Sequence, residues 1–178
     1  MSFDLQPTLE NDLIKVVPLK ESDFEALFAV ASDPLIWEQH PNRDRYKRAV
    51  FENFFKGAIE SKGAFIAYEN DTNKVVGSSR YYDFDEGNSS VAVGYTFVAR
   101  EFWGEGHNKA LKTLMFNHAF QFVDKVFLHI GATNFRSQKA TEKLGGVKIA
   151  ETEIAYYGEP LKWNFVYQVD KDQWIKSI

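Results

Sequence analysis

The stretch from Phe97 to Lys109 reads FVAREFWGEGHNK, with two glycines two apart. It follows an apolar run, SVAVGYTFV, and leads into ALKTLMFNHAF. A glycine turn between a strand and a helix leaves the helix's first backbone N–H groups free at the positive end of its dipole, which suits a phosphate or pyrophosphate. Glycine matters there because a Cβ would hold the anion away from the amides. Gly104 and Gly106 fit that role, with the amides of Glu105, Gly106, His107 and Asn108 beside them. A strand-to-helix turn that binds nothing fits the same spacing. The phosphate loop G-x-x-x-x-G-K-[ST] is absent, and the dinucleotide pattern G-x-G-x-x-G fails at Lys109.

Other residue types carry other chemistry. His129, in VFLHI, and His40, in WEQHPNRDR, are imidazoles able to take a proton from an amine near neutrality; each also fits a structural role. In GSSRYYDF, strand alternation sends Arg80 and Tyr82 to one face. Arg80 suits an acceptor carboxylate or phosphate, or equally a surface ion pair. Trp37, Tyr95 and Trp103 could add aromatic walls. Asn134 is placed to cap a short helix, with Ser137 on the same helical face. The chain has no cysteine, which removes disulfides, thiolate metal sites and cysteine nucleophiles, and no metal site is expected.

These residues must be positioned by a scaffold that the patterning outlines. Strands are expected at 13–19, 64–69, 74–84, 91–98 and 125–131, with a final hairpin after Gly146. Helices are expected after Ser22, which reads as a cap with Glu25 as its partner, at about 44–61, where Gly63 ends it, and at 107–122 and 134–145. Residues 91–131 form a βαβ unit whose strands should run parallel. The result is one mixed α+β domain over residues 1–178.

A formal net charge of −4 argues against a nucleic-acid partner. No apolar run approaches the ~20 residues that span a bilayer, and the N-terminal segment lacks a secretory pattern. A cytoplasmic protein with no membrane partner, monomeric or homodimeric, is the expectation.

Two segments together resemble a known family. GYTFVAREFWGEGHNKALKTLM is similar to the acetyl-CoA-binding segment of the GNAT N-acetyltransferases, and IGATNFRSQKATEKLGGVKIAE to the segment that follows it. ASDPLIWEQHP resembles the branch that acetylates ribosomal-protein N-termini. The resemblance covers about residues 10–170. The chain departs from the family pattern at Glu101 and Asn108 in the loop, at Ala92, and at Gly146, where an aromatic is usual.

The resemblance implies a GNAT fold, a single mostly antiparallel sheet whose fourth and fifth strands, at 91–98 and 125–131, splay around the cofactor. It implies direct acetyl transfer from acetyl-CoA to a primary amine, either a protein N-terminus or a small molecule. Phe97 and Val98 would meet the pantetheine and thioester through their backbone, and Gly104, Glu105, Gly106, His107 and Asn108 the pyrophosphate. Asn134 and Ser137 would meet the pantetheine arm. Ser137 is the candidate acid for the departing thiol, and His129 the candidate base. His40, Arg80, Tyr82 and Trp103 would shape the acceptor site. A non-catalytic acyl-CoA-binding module is the alternative.

Overall fold

The computed structural model describes residues 2–177. Its strands are β1 (Leu9–Glu10), β2 (Ile14–Pro18), β3 (Ala64–Glu69), β4 (Val75–Asp85), β5 (Ser90–Val98), β6 (Lys125–Gly131), β7 (Val147–Ile154) and β8 (Lys162–Asp170). Its α-helices are α1 (Phe24–Ala31), α2 (Arg48–Ser61), α3 (His107–Ala119), α4 (Phe135–Lys143) and α5 (Lys171–Ser177). All eight strands join one sheet in the order β1-β2-β3-β4-β5-β6-β8-β7. Every pairing is antiparallel except β5 with β6, which is parallel as the βαβ reading requires.

Both faces of the sheet are covered, so most of β3 and the first half of β5 are buried on both sides, and the buried stretch of β4 carries Ser78, Ser79 and Arg80 as well as apolar residues. Alternation within β3 shows the division. Phe65 and Ala67 join the core under α3 with Val93, Leu111, Met115, Val126 and Leu128. Ala64 and Ile66 join the core under α1 and α2 with Leu27, Phe51, Phe54 and Phe97. The α4 end, through Leu144, belongs to the α3 side.

The elements follow the sequence reading with four corrections. The two-residue β1 and the terminal α5 carry too few patterned residues to be seen in advance. Ser22 does not cap α1. A 3₁₀ turn at Glu21–Asp23 leads in, the Asp23 carboxylate accepts the Lys20 amide at 2.8 Å, and Glu25 is drawn away to Arg48 on α2. The helix expected from residue 44 begins at Arg48, because Arg43–Tyr46 form a separate 3₁₀ turn that delivers Arg45 to the interior. Finally, the left-handed residue that ends α2 is Lys62 (φ 51°), one before Gly63.

Candidate active site

β5 and β6 are paired only from Ser90↔Lys125 to Ala92↔Phe127. Beyond that point β6 stays with β8 and β5 stays with β4. The two strands therefore part, and a wedge opens between their C-terminal halves. Tyr95 lies on the diverging part of β5 with φ 53°, in the left-handed region, and the β4–β5 register shifts beside it. This is a β-bulge, and it inverts the alternation. Val93 belongs to the α3-side core, yet Tyr95 and Phe97, two and four residues on, face α1 and α2.

The backbone beyond the bulge has a free edge. The Ala99 amide donates to the Val76 carbonyl on β4 at 2.8 Å, so alternation turns the polar groups of Val98 away from β4 and into the wedge. The Val98 carbonyl takes the Trp103 indole N–H at 2.9 Å. Its amide is left facing the wedge, while the amide of Phe97 turns to β4 and its ring packs at 5.1 Å from Trp37.

At the wedge mouth, Gly104 (φ 78°) and Gly106 (φ 86°) both adopt left-handed conformations, and a Cβ at either would meet no atom within 4 Å. The open space in front of them is where a ligand group can approach. Gly106 is the N-cap of α3. No described residue accepts from the amides of Gly104, Gly106, His107, Asn108 or Lys109, and the Glu105 amide makes only a 3.5 Å contact to the Phe102 carbonyl. The loop is braced from behind: the buried His107 ring sits 4.5 Å from Phe102 and its Nε2 lies 3.1 Å from Glu69 Oε1. Deeper on the same side, the buried Lys112 amine donates to the Thr96 hydroxyl, and burial holds its pKa down at about 7.

The opposite lip is α4. Asn134 is its N-cap, with Oδ1 accepting from the Ser137 amide at 3.3 Å. Gln138 holds the preceding turn by donating to the Gly131 and Ala132 carbonyls at 3.0 and 3.1 Å. Ser137 is half-buried on the first turn. The Arg136 guanidinium lies 4.0 Å from the Trp103 ring centroid and 2.9 Å from Glu38, tying α4 to the glycine loop and to the segment before α2.

On the α1/α2 side of the wedge the sheet carries a polar and aromatic chamber. His129 lies two residues past the last β5–β6 pair, and its Nδ1 is 2.7 Å from the Tyr82 hydroxyl. The Tyr82 ring reaches it by passing over Gly94, where a Cβ would stand 3.1 Å from the ring and hydroxyl. Burial holds the His129 imidazole below its ordinary 6.5, against a weaker pull from Asp83, so the ring is neutral at pH 7. Burial raises Tyr82 well above 10 and keeps it a phenol.

Beside this pair, Arg80 is 3% exposed and stacks 3.7 Å from the Tyr95 ring centroid. Its Nη2 reaches only the Phe54 carbonyl at 3.5 Å, and its buried Nε has no partner. Burial, the largest influence, lowers its pKa to about 10. The second buried guanidinium, Arg45, is fully paired: Glu159 on the β7–β8 loop accepts at 2.6 and 2.7 Å. Tyr156 on that loop lies 5.1 Å from Tyr95 and donates to Asn164 at 3.0 Å.

His40 has a different environment. Its Nδ1 accepts the Asn42 amide at 2.9 Å, so a neutral ring carries its proton on Nε2, the atom facing Arg45. Burial and Arg45 together hold its pKa well below 6.5. Neither nitrogen offers a free lone pair, and the ring braces the loop that carries Arg45.

The profile of the acetyltransferase (GNAT) domain matches residues 14–147. The chain belongs to the GNAT acetyltransferase family. Solved structures agree on the fold. A GCN5-related N-acetyltransferase from Brucella melitensis is 15% identical, with TM-score 0.79, 96% of this chain and 81% of that one covered. An acetyltransferase candidate from T. thermophilus is 23% identical, with TM-score 0.75 and coverages of 95% and 92%. A candidate ribosomal-protein-serine acetyltransferase from Vibrio cholerae is 15% identical, with TM-score 0.72 and coverages of 96% and 99%. No curated protein matches the chain. Acyl transfer from acetyl-CoA is the chemistry this GNAT domain supports, and the free amides and open glycines of the α3 mouth fit the pyrophosphate of such a donor.

Within the GNAT frame, the sequence-derived residues fall into two groups. Val98, Gly104, Gly106, His107, Asn108, Asn134 and Ser137 lie along the two lips of the wedge, as does Trp103, expected on the acceptor side. Arg80, Tyr82 and His129 come together in the chamber. Tyr95, expected as an aromatic wall, stands beside them, whereas Arg45, Tyr156 and Glu159 were not singled out by the sequence. The bulge at Tyr95 did leave a signal, since a lone glycine inside an apolar strand, here Gly94, points to one. For the Arg45–Glu159 pair there was none, the partners being 114 residues apart.

Proposed function

We propose that this protein is an acetyl-CoA-dependent N-acetyltransferase, a single domain over residues 1–178 that transfers acetyl directly to a primary amine, small or at a protein N-terminus, in a cytoplasmic setting. One observation carries the reading. The free β5 edge and glycine mouth, suited to a CoA thioester, open onto a neutral imidazole aligned by a phenol. Acetyl-CoA supplies the activated acetyl group. The amides of Gly104, Gly106, His107 and Asn108 hold its pyrophosphate, with the Glu105 amide at the edge, and the wedge-facing Val98 amide, beside Phe97, donates to the thioester carbonyl.

With Tyr82 accepting from Nδ1–H, His129 keeps its Nε2 lone pair for the proton of the incoming amine. Its depressed pKa keeps that lone pair available at neutral pH. Asn134 positions the pantetheine arm through its remaining amide donors, and the Ser137 hydroxyl relays a proton from water to the departing thiolate as the amine's proton leaves on His129. His40, through Arg45, shapes the acceptor chamber that Arg80 and Tyr82 line, while Trp103 closes the cofactor lip.

The test has two stages. Acetyl-CoA at millimolar concentration should raise Tm, because a ligand that binds only the native state stabilises it. An amine and peptide panel should then release free thiol. Binding without turnover on any amine would favour a non-catalytic acyl-CoA module, and absence of a Tm shift would remove both readings.

A further inference from the structure

Two guanidinium groups are buried on the acceptor side of the sheet, and one buried carboxylate serves them. Arg45 and Arg80 flank the same rings, at 4.7 and 5.5 Å from the Phe54 centroid and 6.0 and 3.7 Å from that of Tyr95. Glu159 gives both its oxygens to Arg45. Arg80 is in no ion pair among the described residues, and its Nε is unpartnered. A buried cation without a counter-ion is costly, and the face of Tyr95 offsets only part of that cost. Stacking on Tyr95 leaves the edge of the guanidinium, where its N–H groups point, for a planar partner.

We infer that Arg80 is the anchor for a carboxylate carried by the acceptor, so that the substrate is a small amino acid rather than a simple amine or a peptide N-terminus. The inference rests on the amine-transfer reading above. Arg80 and Tyr82 are two residues apart on one face of β4, roughly 7 Å along the strand, and Tyr82 holds His129. The charge and the base are therefore tied to the same face of β4, one directly and the other through the Tyr82 hydroxyl. Charge counting favours a carboxylate over a phosphate. Arg45 and Glu159 cancel, so one negative charge neutralises the chamber and two overshoot. A peptide N-terminus offers an amide where the free amino acid has its carboxylate.

The test compares the common amino acids with their carboxamides and with a peptide amide as acceptors, read by thiol release from acetyl-CoA. The expected result is a kcat/KM at least tenfold higher for an acid than for its amide. Arg80→Gln should abolish that preference, chiefly by raising KM, and Arg80→Lys should restore part of it. Arg80→Met should melt no lower than wild type without ligand, since it removes an unpaired charge, and all three variants should keep the Tm shift with acetyl-CoA. Equal use of acid and amide, or a preference surviving Arg80→Gln, would overturn the inference. Turnover of the peptide amide but of no amino acid would overturn it while leaving amine transfer standing. No turnover of any amine, with cofactor binding intact, would overturn both.

Discussion

The two sides of the wedge are made of different materials. The cofactor side is backbone: two glycines in left-handed conformations, the unpaired amides of the α3 mouth and the free edge of β5. The acceptor side is side chains: Arg80, Tyr82, Tyr95, His129, Arg45 and Glu159, interlocked by stacking and hydrogen bonds. A backbone site depends on conformation and tolerates changes of side chain as long as the turn is kept. A side-chain site depends on the identity of each member.

The largest expected effect follows on the backbone side. Gly106→Trp should abolish the Tm shift with acetyl-CoA, because its φ of 86° is poor for any L side chain and the indole would fill the open cradle. The strain itself is worth about 1–2 kcal/mol, so the variant should fold, and circular dichroism with a melting curve would check that. Retained cofactor binding would mean that the glycine cradle is not where the pyrophosphate sits.

On the chamber side, His129→Gln should lower kcat by roughly 10²–10⁴-fold, the usual range for losing a positioned general base, and leave acetyl-CoA binding unchanged. The wild-type rate should be lost as pH falls through the His129 pKa, which lies below 6.5 because burial disfavours the protonated ring. Protonation there removes the lone pair that accepts from the amine. The variant should lack this acid limb, and a pH–rate profile that keeps it would assign the limb to another group.

The third effect is on stability. Arg45→Met leaves the Glu159 carboxylate buried without a partner, and removing one member of a buried pair typically costs about 3–5 kcal/mol. Denaturant unfolding should show that loss, and Arg45→Met with Glu159→Met should recover most of it. The contrast with Arg80, whose removal strands no partner, separates a structural arginine from one that awaits a ligand. Equal destabilisation by Arg45→Met and Arg80→Met would erase that distinction.

The same division explains what was legible in the sequence. Gly104, Gly106 and the helix they open are contiguous, and the conformations they need are written in residue type. The βαβ unit, the parallel β5–β6 pairing and the cap at Asn134 could likewise be read from local pattern. The chamber could be read only in part. Alternation put Arg80 and Tyr82 on one face, and His129 stood out as a titratable group in a strand. Their neighbours come from the 3₁₀ turn at 43–46 and the loop at 155–161, and only tertiary packing brings Arg45 to Glu159. Ser22 and Glu25 misled for a related reason. The capping spacing was present, and a distant arginine competed for the glutamate.

A side chain on the cradle itself should matter least of all. The loop departs from its family pattern at Asn108, half-buried on the first turn of α3. If the cradle is built from amides, Asn108→Ala should leave acetyl-CoA affinity within about threefold of wild type, under ~0.7 kcal/mol by the tenfold-per-1.4 rule. Alanine is also the better helix former, so the turn that presents the amides should be kept. Isothermal titration with acetyl-CoA would measure this. A loss of tenfold or more would mean that the Asn108 side chain itself grips the anion, and the contrast between a backbone-built and a side-chain-built half would then fail at the residue where sequence and family pattern part.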